Sequence, residues 1–332
     1  MIQLLAAALQ IAAAATPDFQ TSHAAGEALL KQGKLTAAIL LLERARKADP
    51  AHYVNSWDLA AAYLETGRLA EARSLAGAML ARQDKPELRN LLARIEDRAG
   101  NATKAAELYQ EAAHAEPSEK HIADWANHLL RYRAYDSALQ VYTKAVEMHP
   151  RSSPLRVGFG VAHYSAGNYD DAVRVLCEAV DLNPADPRPM TFLGKMIDVS
   201  PQLNSEIARR MDGYVARFPG NALAHLYLAK AGGSEAERHF RQAAALDPKL
   251  AAAPLELGLL CEKQGRDKDA VAAYERATSI DNSLETAYYR LTRLYRKFGQ
   301  SERARLAMEQ YRRAHAAASA KPASTAPALV VQ

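Results

Sequence analysis

Three histidines spaced seven residues apart, His114, His121 and His128, are by type the side chains best suited to holding a metal ion. A zinc site needs three or four such ligands converging on one point. Here His114 falls on one predicted helix and the other two on the next, with no cysteine or carboxylate at ligand spacing. Packed or surface histidines are therefore expected, and no metal. A second candidate is GFGVAH, residues 158–163, which begins like a Gly-x-Gly-x-x-Gly phosphate loop. His163 stands in place of the third glycine, and the segment reads as helix interior, whereas such a loop follows a strand. Asp170 and Asp171, with Cys177 nearby and Cys261 further on, are of types that serve acid–base and nucleophilic chemistry. The chain has no His-Glu-x-x-His, no Cys-x-x-Cys and no nucleophile elbow. No catalytic residue and no cofactor are expected.

The surroundings of Asp170 and Asp171 explain why they read as scaffold. Ala172, which follows them, has counterparts at Ala38, Ala72, Ala105, Ala138, Ala236, Ala270 and Ala304. The successive steps along the chain are 34, 33, 33, 34, 64, 34 and 34, the long one leaving room for a degenerate unit. Glycines precede these alanines at Gly33, Gly67, Gly100, Gly167, Gly265 and Gly299. Prolines close the units at Pro50, Pro117, Pro150, Pro184, Pro219 and Pro248.

Each unit reads as two helices and a turn. In the unit from Ser153 to Asp186, Phe159, Gly160 and His163 lie at helical spacing, and Gly167 ends the helix. Asn168, Asp170 and Asp171 begin the second helix, where acids satisfy free N–H groups and favour the macrodipole. Ala172, Leu176 and Ala179 form its packing stripe, and Pro184, lacking an N–H, breaks it.

This pattern resembles the tetratricopeptide repeat (TPR) family. Phe159–Gly160, Gly167, Ala172, Leu176, Ala179 and Pro184 carry the match, as do Leu257–Gly258, Gly265, Ala270, Tyr274 and Ala277. The resemblance implies an all-α fold, an α-solenoid of about nine helix-turn-helix repeats forming a right-handed superhelix. The units are expected near 19–52, 53–85, 86–118, 119–152, 153–186, 187–221, 222–250, 251–284 and 285–317. The sixth has Pro201 at its turn and no alanine at the packing position. The seventh is about five residues short around Gly232–Gly233. A division of the solenoid near residue 186 is one consequence these irregular units allow.

The family's geometry implies a concave groove lined by the first helix of each unit. Its offsets select Trp57, Asn90, Arg94, Arg98, Lys120, Asn127, Arg131, Tyr164, Arg188, Lys195, Tyr289, Arg293 and Arg296 as the partner-binding face. Lys230, Lys263 and Lys297 fall on the same offsets. Matching acids are fewer (Glu27, Glu65, Glu87, Asp97, Asp198 and Glu262), so a net positive groove with Trp57, Tyr164 and Tyr289 as anchors is expected. The Lys/Asn clamp by which some members hold a chaperone's acidic C-terminus is not expected, because His23 and Glu27 occupy two of its key positions.

Composition and chain ends bound the function. The 332 residues are 49% apolar and 24% charged, with a net charge of +4 and two cysteines, which excludes a disulfide framework. Between Glu285 and His315 eight Lys or Arg face three acids, so the excess positive charge lies at the C-terminal end. That end reads as a solubilising cap or as a docking surface for an acidic peptide or anionic membrane lipid. Ile2–Ala15 is uncharged and of signal-peptide length, with Ala13 and Ala15 ahead of a cleavage point before Thr16, although no Lys or Arg precedes it. Residues 1–15 are therefore read as a signal peptide, implying bacterial periplasm or cell surface, with the cytoplasm the alternative. Residues 318–332 are read as a disordered tail. The expected function is a non-catalytic scaffold or adaptor binding a protein or peptide of acidic character, with no nucleic acid. The alternatives are a substrate-recognition subunit of an envelope glycosyl-transfer or secretion system and, further off, an RNA-binding repeat protein.

Overall fold

The computed structural model describes residues 19–232 and 235–320, and the described residues hold eighteen α-helices and no strand. The segment 1–15 and the tail beyond Ala320 lie outside the described residues. Contacts divide the chain into two compact units, Met1–Tyr132 and Arg133–Gln332. The division thus falls in the turn of the fourth repeat, and not near residue 186. The irregular sixth repeat stays within the second unit because it keeps its apolar side chains. Leu193, Met196, Ile197, Ile207 and Met211 are buried in one core with Ala172 and Leu176 of the fifth repeat.

The first unit contains α1 (Phe19–Lys31), α2 (Leu35–Ala48), α3 (Tyr53–Glu65), α4 (Leu69–Arg82), α5 (Pro86–Arg98), α6 (Ala102–Ala115) and α7 (Glu119–Arg131). The second contains α8 (Tyr135–Met148), α9 (Ser153–Ser165), α10 (Tyr169–Leu182), α11 (Pro187–Met196), α12 (Asn204–Arg217), α13 (Ala222–Lys230), α14 (Ala236–Leu246), α15 (Ala252–Lys263), α16 (Asp267–Ile280), α17 (Glu285–Lys297) and α18 (Ser301–Ala320). A single 3₁₀ turn, Pro201–Leu203, joins α11 to α12. Helix α18 runs to Ala320, three residues into the stretch read as a disordered tail.

The turn inside a repeat follows from one glycine. Gly167 sits at φ +83°, its N–H bonds to the Tyr164 carbonyl at 3.0 Å and the Asn168 N–H reaches the His163 carbonyl at 2.9 Å. This is the Schellman arrangement, which satisfies the last free carbonyls of α9 and reverses the chain. The Asn168 side chain makes no capping bond. Asp170 instead accepts from Gln202 at 2.5 Å and Asp171 from Arg174 at 2.8 Å. The acids thus serve the macrodipole and neighbouring side chains, not the free N–H groups.

Small residues let the two helices of a repeat approach. A Cβ on Gly258 would lie 2.5 Å from the Tyr274 ring, and one on Gly160 would lie 2.6 Å from Leu176. The large residue sixteen positions later fills the space the glycine leaves, and both Leu176 and Tyr274 are fully buried. Burying a leucine completely is worth about 1.5–3 kcal/mol, so each glycine–knob pair is a main source of cohesion. Cys177 and Cys261 are buried in the same cores. Burial pushes the Cys177 thiol up to about 12 and raises Cys261 also.

Candidate functional site

The candidate face is described separately for each unit. In the first, α3, α5 and α7 are neighbouring first helices, and their polar side chains reach across from one to the next. Arg94 and Arg98 on α5 both turn to α3, Arg94 to Glu65 Oε1 at 3.1 Å and Arg98 to the Leu64 carbonyl at 2.7 Å. Arg98 also lies 3.6 Å from Glu65 Oε2. Lys120 on α7 donates to Asn90 Oδ1 on α5 at 3.1 Å and to Asp124 at 2.6 Å. Arg131 on α7 is ion-paired with the buried Asp97 on α5. Trp57 is half-buried with its ring 6.3 Å from that of Tyr53, and Asn127 is half-buried on α7.

The pairing corrects the expectation of a net positive face in this unit. Arg94, Arg98, Lys120 and Arg131 each have a carboxylate partner, so the face is a ladder of cross-links between adjacent helices. Burial alone would raise the Asp97 carboxyl. The His128 imidazole beside it and the Arg131 guanidinium outweigh that and hold it below the ordinary range. His128 Nδ1 is 3.2 Å from Asp97 Oδ1 but off the hydrogen-bond direction, so this contact is electrostatic.

In the second unit the picture differs. Tyr164 is half-buried against the core, 5.4 Å from the Tyr169 ring. Arg188 is held by Asp186 through bonds of 3.0 and 2.7 Å at the start of α11. Lys230 is likewise engaged, by Asp198 at 2.8 Å and Glu256 at 3.3 Å. Lys195 is exposed and, among the described residues, meets the Phe192 ring at 5.9 Å. Tyr289 is 46% exposed with Tyr311 beside it, ring centroids 5.9 Å apart. Arg293 and Arg296 on the same helix are exposed and have no ion-pair or hydrogen-bond partner for their side chains among the described residues. Lys263 on α15 is in the same state.

The three spaced histidines go to three different partners. His114 meets Trp125 edge-on, His121 Nδ1 pairs with the Glu116 carbonyl at 3.0 Å, and His128 sits by Asp97. Among the described residues no group of His, Cys, Asp or Glu is arranged to hold a metal ion. Gly158 and Gly160 lie inside α9, covered by Tyr142 and Leu176, so no phosphate loop exists there. Among the described residues no helix is long and apolar enough to cross a membrane. Sequence reasoning missed the role of Glu65, Asp97, Asp124 and Asp186, which it counted as opposing charge or passed over; they are the specific partners of these cations. The signal was available, since Glu65 and Arg94 occupy facing positions one repeat apart.

The repeating hairpins and their turn glycines coincide with matches to two sequence profiles of one family. One tetratricopeptide repeat profile matches residues 29–95 and 129–195 and a second matches 221–284, together more than half of the chain. The chain belongs to the tetratricopeptide repeat family. It is an all-α solenoid of TPR helix pairs, a fold that serves generally as a scaffold for protein interactions. It is 30% identical over 145 residues to BBSome complex member BBS4 from Xenopus tropicalis, covering 42% of this chain. The match spans only 28% of the length of that relative. Among solved structures, the C-terminal part of a TPR repeat-containing protein from Cytophaga hutchinsonii superposes with a TM-score of 0.54 at 14% identity. That match covers 82% of this chain and 99% of the other. YrrB, described as a TPR protein with an unusual peptide-binding site, gives a TM-score of 0.40 at 16% identity, over 53% of this chain and 98% of YrrB.

Proposed function

We propose that the protein is a non-catalytic adaptor that holds an acidic protein or peptide segment along the first-helix face of its second unit. The observation that carries this reading is the group of Lys263, Arg293 and Arg296, exposed cations without a carboxylate partner among the described residues, with the exposed Tyr289 ring on the same helix as the two arginines. An unpaired guanidinium can take a partner's carboxylate without breaking an existing ion pair, and Tyr and Arg are the residue types that dominate binding energy at interfaces. Arg94, Arg98 and Arg131 of the first unit are already paired, so they act there as cross-links. The frog relative is a member of a complex, which accords with a role in assembling one.

The test is a cross-linked pull-down from the native source, with two multiple variants compared against wild type. Arg293→Glu with Arg296→Glu is expected to lose the partner while keeping its circular dichroism spectrum. Arg94→Glu with Arg98→Glu and Arg131→Glu is expected to keep the partner, at reduced stability. Retention by the first variant, or loss confined to the second, overturns the assignment. An exported setting with envelope partners is part of the same proposal. It rests on the apolar run Ile2–Ala15 and is checked by sequencing the N-terminus of the native protein, where Thr16 as first residue supports it and Met1 counts against it.

A further inference from the structure

The short seventh repeat closes on two buried histidines. His225 of α13 is 6% exposed and His239 of α14 is 7% exposed. Their Nδ1 atoms lie 2.8 Å apart, and the ring centroids 5.1 Å apart. His225 Nε2 lies 3.0 Å from the Pro219 carbonyl, in the turn before α13. The repeat register marks His239 as the unusual residue. It follows the packing alanine Ala236 by three positions, where other repeats carry Leu75, Leu108, Val141 and Val175. An apolar side chain serves there, so packing does not demand an imidazole.

The neighbours fix where the protons sit. A carbonyl only accepts, so His225 Nε2 carries a hydrogen and donates it to Pro219. In the neutral ring His225 Nδ1 is then a bare acceptor, and His239 Nδ1–H donates to it. The neutral pair is thereby satisfied. One further proton, on His239 Nε2, keeps this bond but places a charge in a buried site. A second puts hydrogens on both Nδ1 atoms, and two donors at 2.8 Å cannot stay in contact.

The charged groups around the pair do not rescue the imidazolium. Burial, with His225 and Arg238, holds His239 below the ordinary histidine value, outweighing the pull of Asp212 on α12 and of Glu235 ahead of α14. Glu235 is itself ion-paired with Arg238. Helix α15 meets this hairpin through Ala252, Ala253, Leu257 and Leu260, and its Glu256 is engaged by Lys230 at 3.3 Å. The hairpin has little else to close it. Its helices have nine and eleven residues, against thirteen and fourteen in the fifth repeat. Glu235 enters α14 at φ +58°, a left-handed conformation strained for any residue with a side chain.

We propose that the His225–His239 contact is a pH-operated catch, holding the α13–α14 hairpin closed at neutral pH and releasing it in mild acid. Once the helices part, His239 takes up a proton at the ordinary histidine value of about 6.5; while they are closed it does so only at lower pH. The catch therefore holds fully above about pH 6.5, begins to weaken there, and is lost once pH has fallen through the folded value. In between, opening grows about tenfold per pH unit for each proton gained. The seventh repeat joins the sixth to the eighth, so parting its helices loosens the last two repeats from those before them. The catch is separate from the first-helix face and stands or falls independently of it.

The experiment is native-state hydrogen exchange of the full chain at about pH 7.5 and about pH 5, both above the ordinary carboxylate range. Peptides from α13 and α14 are compared by mass spectrometry with reference peptides from α9 and α10, after correction for intrinsic exchange. Protection of α13 and α14 is expected to fall about tenfold in acid relative to the reference. His239→Gln keeps an N–H donor for His225, can turn its oxygen to a protonated His225, and does not titrate. His225→Gln combined with His239→Leu removes both titrating rings and restores the residue type found at Leu75. Both variants are expected to keep the wild-type circular dichroism spectrum and to cut the fall to under about twofold. Wild-type protection that stays constant overturns the proposal without any variant. A fall of equal size in α9 and α10, or one that persists in either variant, also overturns it.

Discussion

The packing of Gly258 under Tyr274 makes the sign of a single substitution predictable. In Gly258→Ala the added Cβ would meet Tyr274 Cε1 at 2.5 Å, Cδ1 at 2.6 Å and Cζ at 3.0 Å. Carbon atoms settle at about 3.5–4.0 Å, so the ring must withdraw by about 1 Å. It has nowhere to go, being fully buried among Cys261, Ala270, Leu291 and Leu294. Its hydroxyl is also tied to Glu262 at 2.9 Å. Overpacking of this kind costs about 1–3 kcal/mol, against a helix-propensity gain of about 1 kcal/mol. A net loss of up to about 2 kcal/mol is expected. Gly213, inside α12, is the control: it is exposed, and a Cβ there would meet nothing within 4 Å. Gly213→Ala should therefore gain about 0.5–1 kcal/mol. The assay is urea denaturation followed by far-UV circular dichroism, with each transition fitted separately because a repeat array need not unfold in one step. Gly258→Ala proving as stable as Gly213→Ala would refute the argument from close approach.

Glu96→Gln should destabilise the first unit by about 3 kcal/mol in the same urea assay, because Glu96 is buried and holds Arg73 at 2.8 Å, Lys104 at 3.3 Å and Asn101 at 2.6 Å. Burial works to raise the carboxyls of Glu96 and Asp97, but their cationic partners outweigh it and both are held low. Their contribution is therefore present above the unfolded carboxylate range near pH 4 and lost as pH falls through the folded values. Asp97→Asn should flatten that acid limb in a stability series from neutral to acid pH, and an unchanged limb would contradict the assignment. Arg133, at φ +59°, occupies the turn position that other repeats give to glycine. Arg133→Gly should relieve left-handed strain and raise the urea midpoint by the equivalent of about 0.5–1 kcal/mol.

The fold could be read from the sequence because its signals are local and repeated. Gly167 and its counterparts, Ala172 and its counterparts, and the closing prolines each report one step of a hairpin, and the period makes them reinforce one another. The division after Tyr132 was not legible, since it depends on how densely distant segments touch and not on any residue type. For the candidate face, the sequence identified which helices carry it but misjudged its charge. A tally of signs treats Arg94, Arg98 and Glu65 as independent, whereas packing neighbouring first helices together joins them into a single ionic cross-link.

The burial of Cys177 and Cys261 has a practical consequence for how the array breathes. Burial pushes both thiols up, so the reactive thiolate is scarce at neutral pH, and a shielded thiol is out of reach of an alkylating reagent besides. Modification must then wait for the surrounding helices to part. One cysteine stands in the fifth repeat and the other in the eighth, so the chain carries two chemical clocks at separate stations along its second unit. Their labelling rates, measured side by side without any added probe, would time the opening of each station, and a bound partner would slow whichever clock it covers.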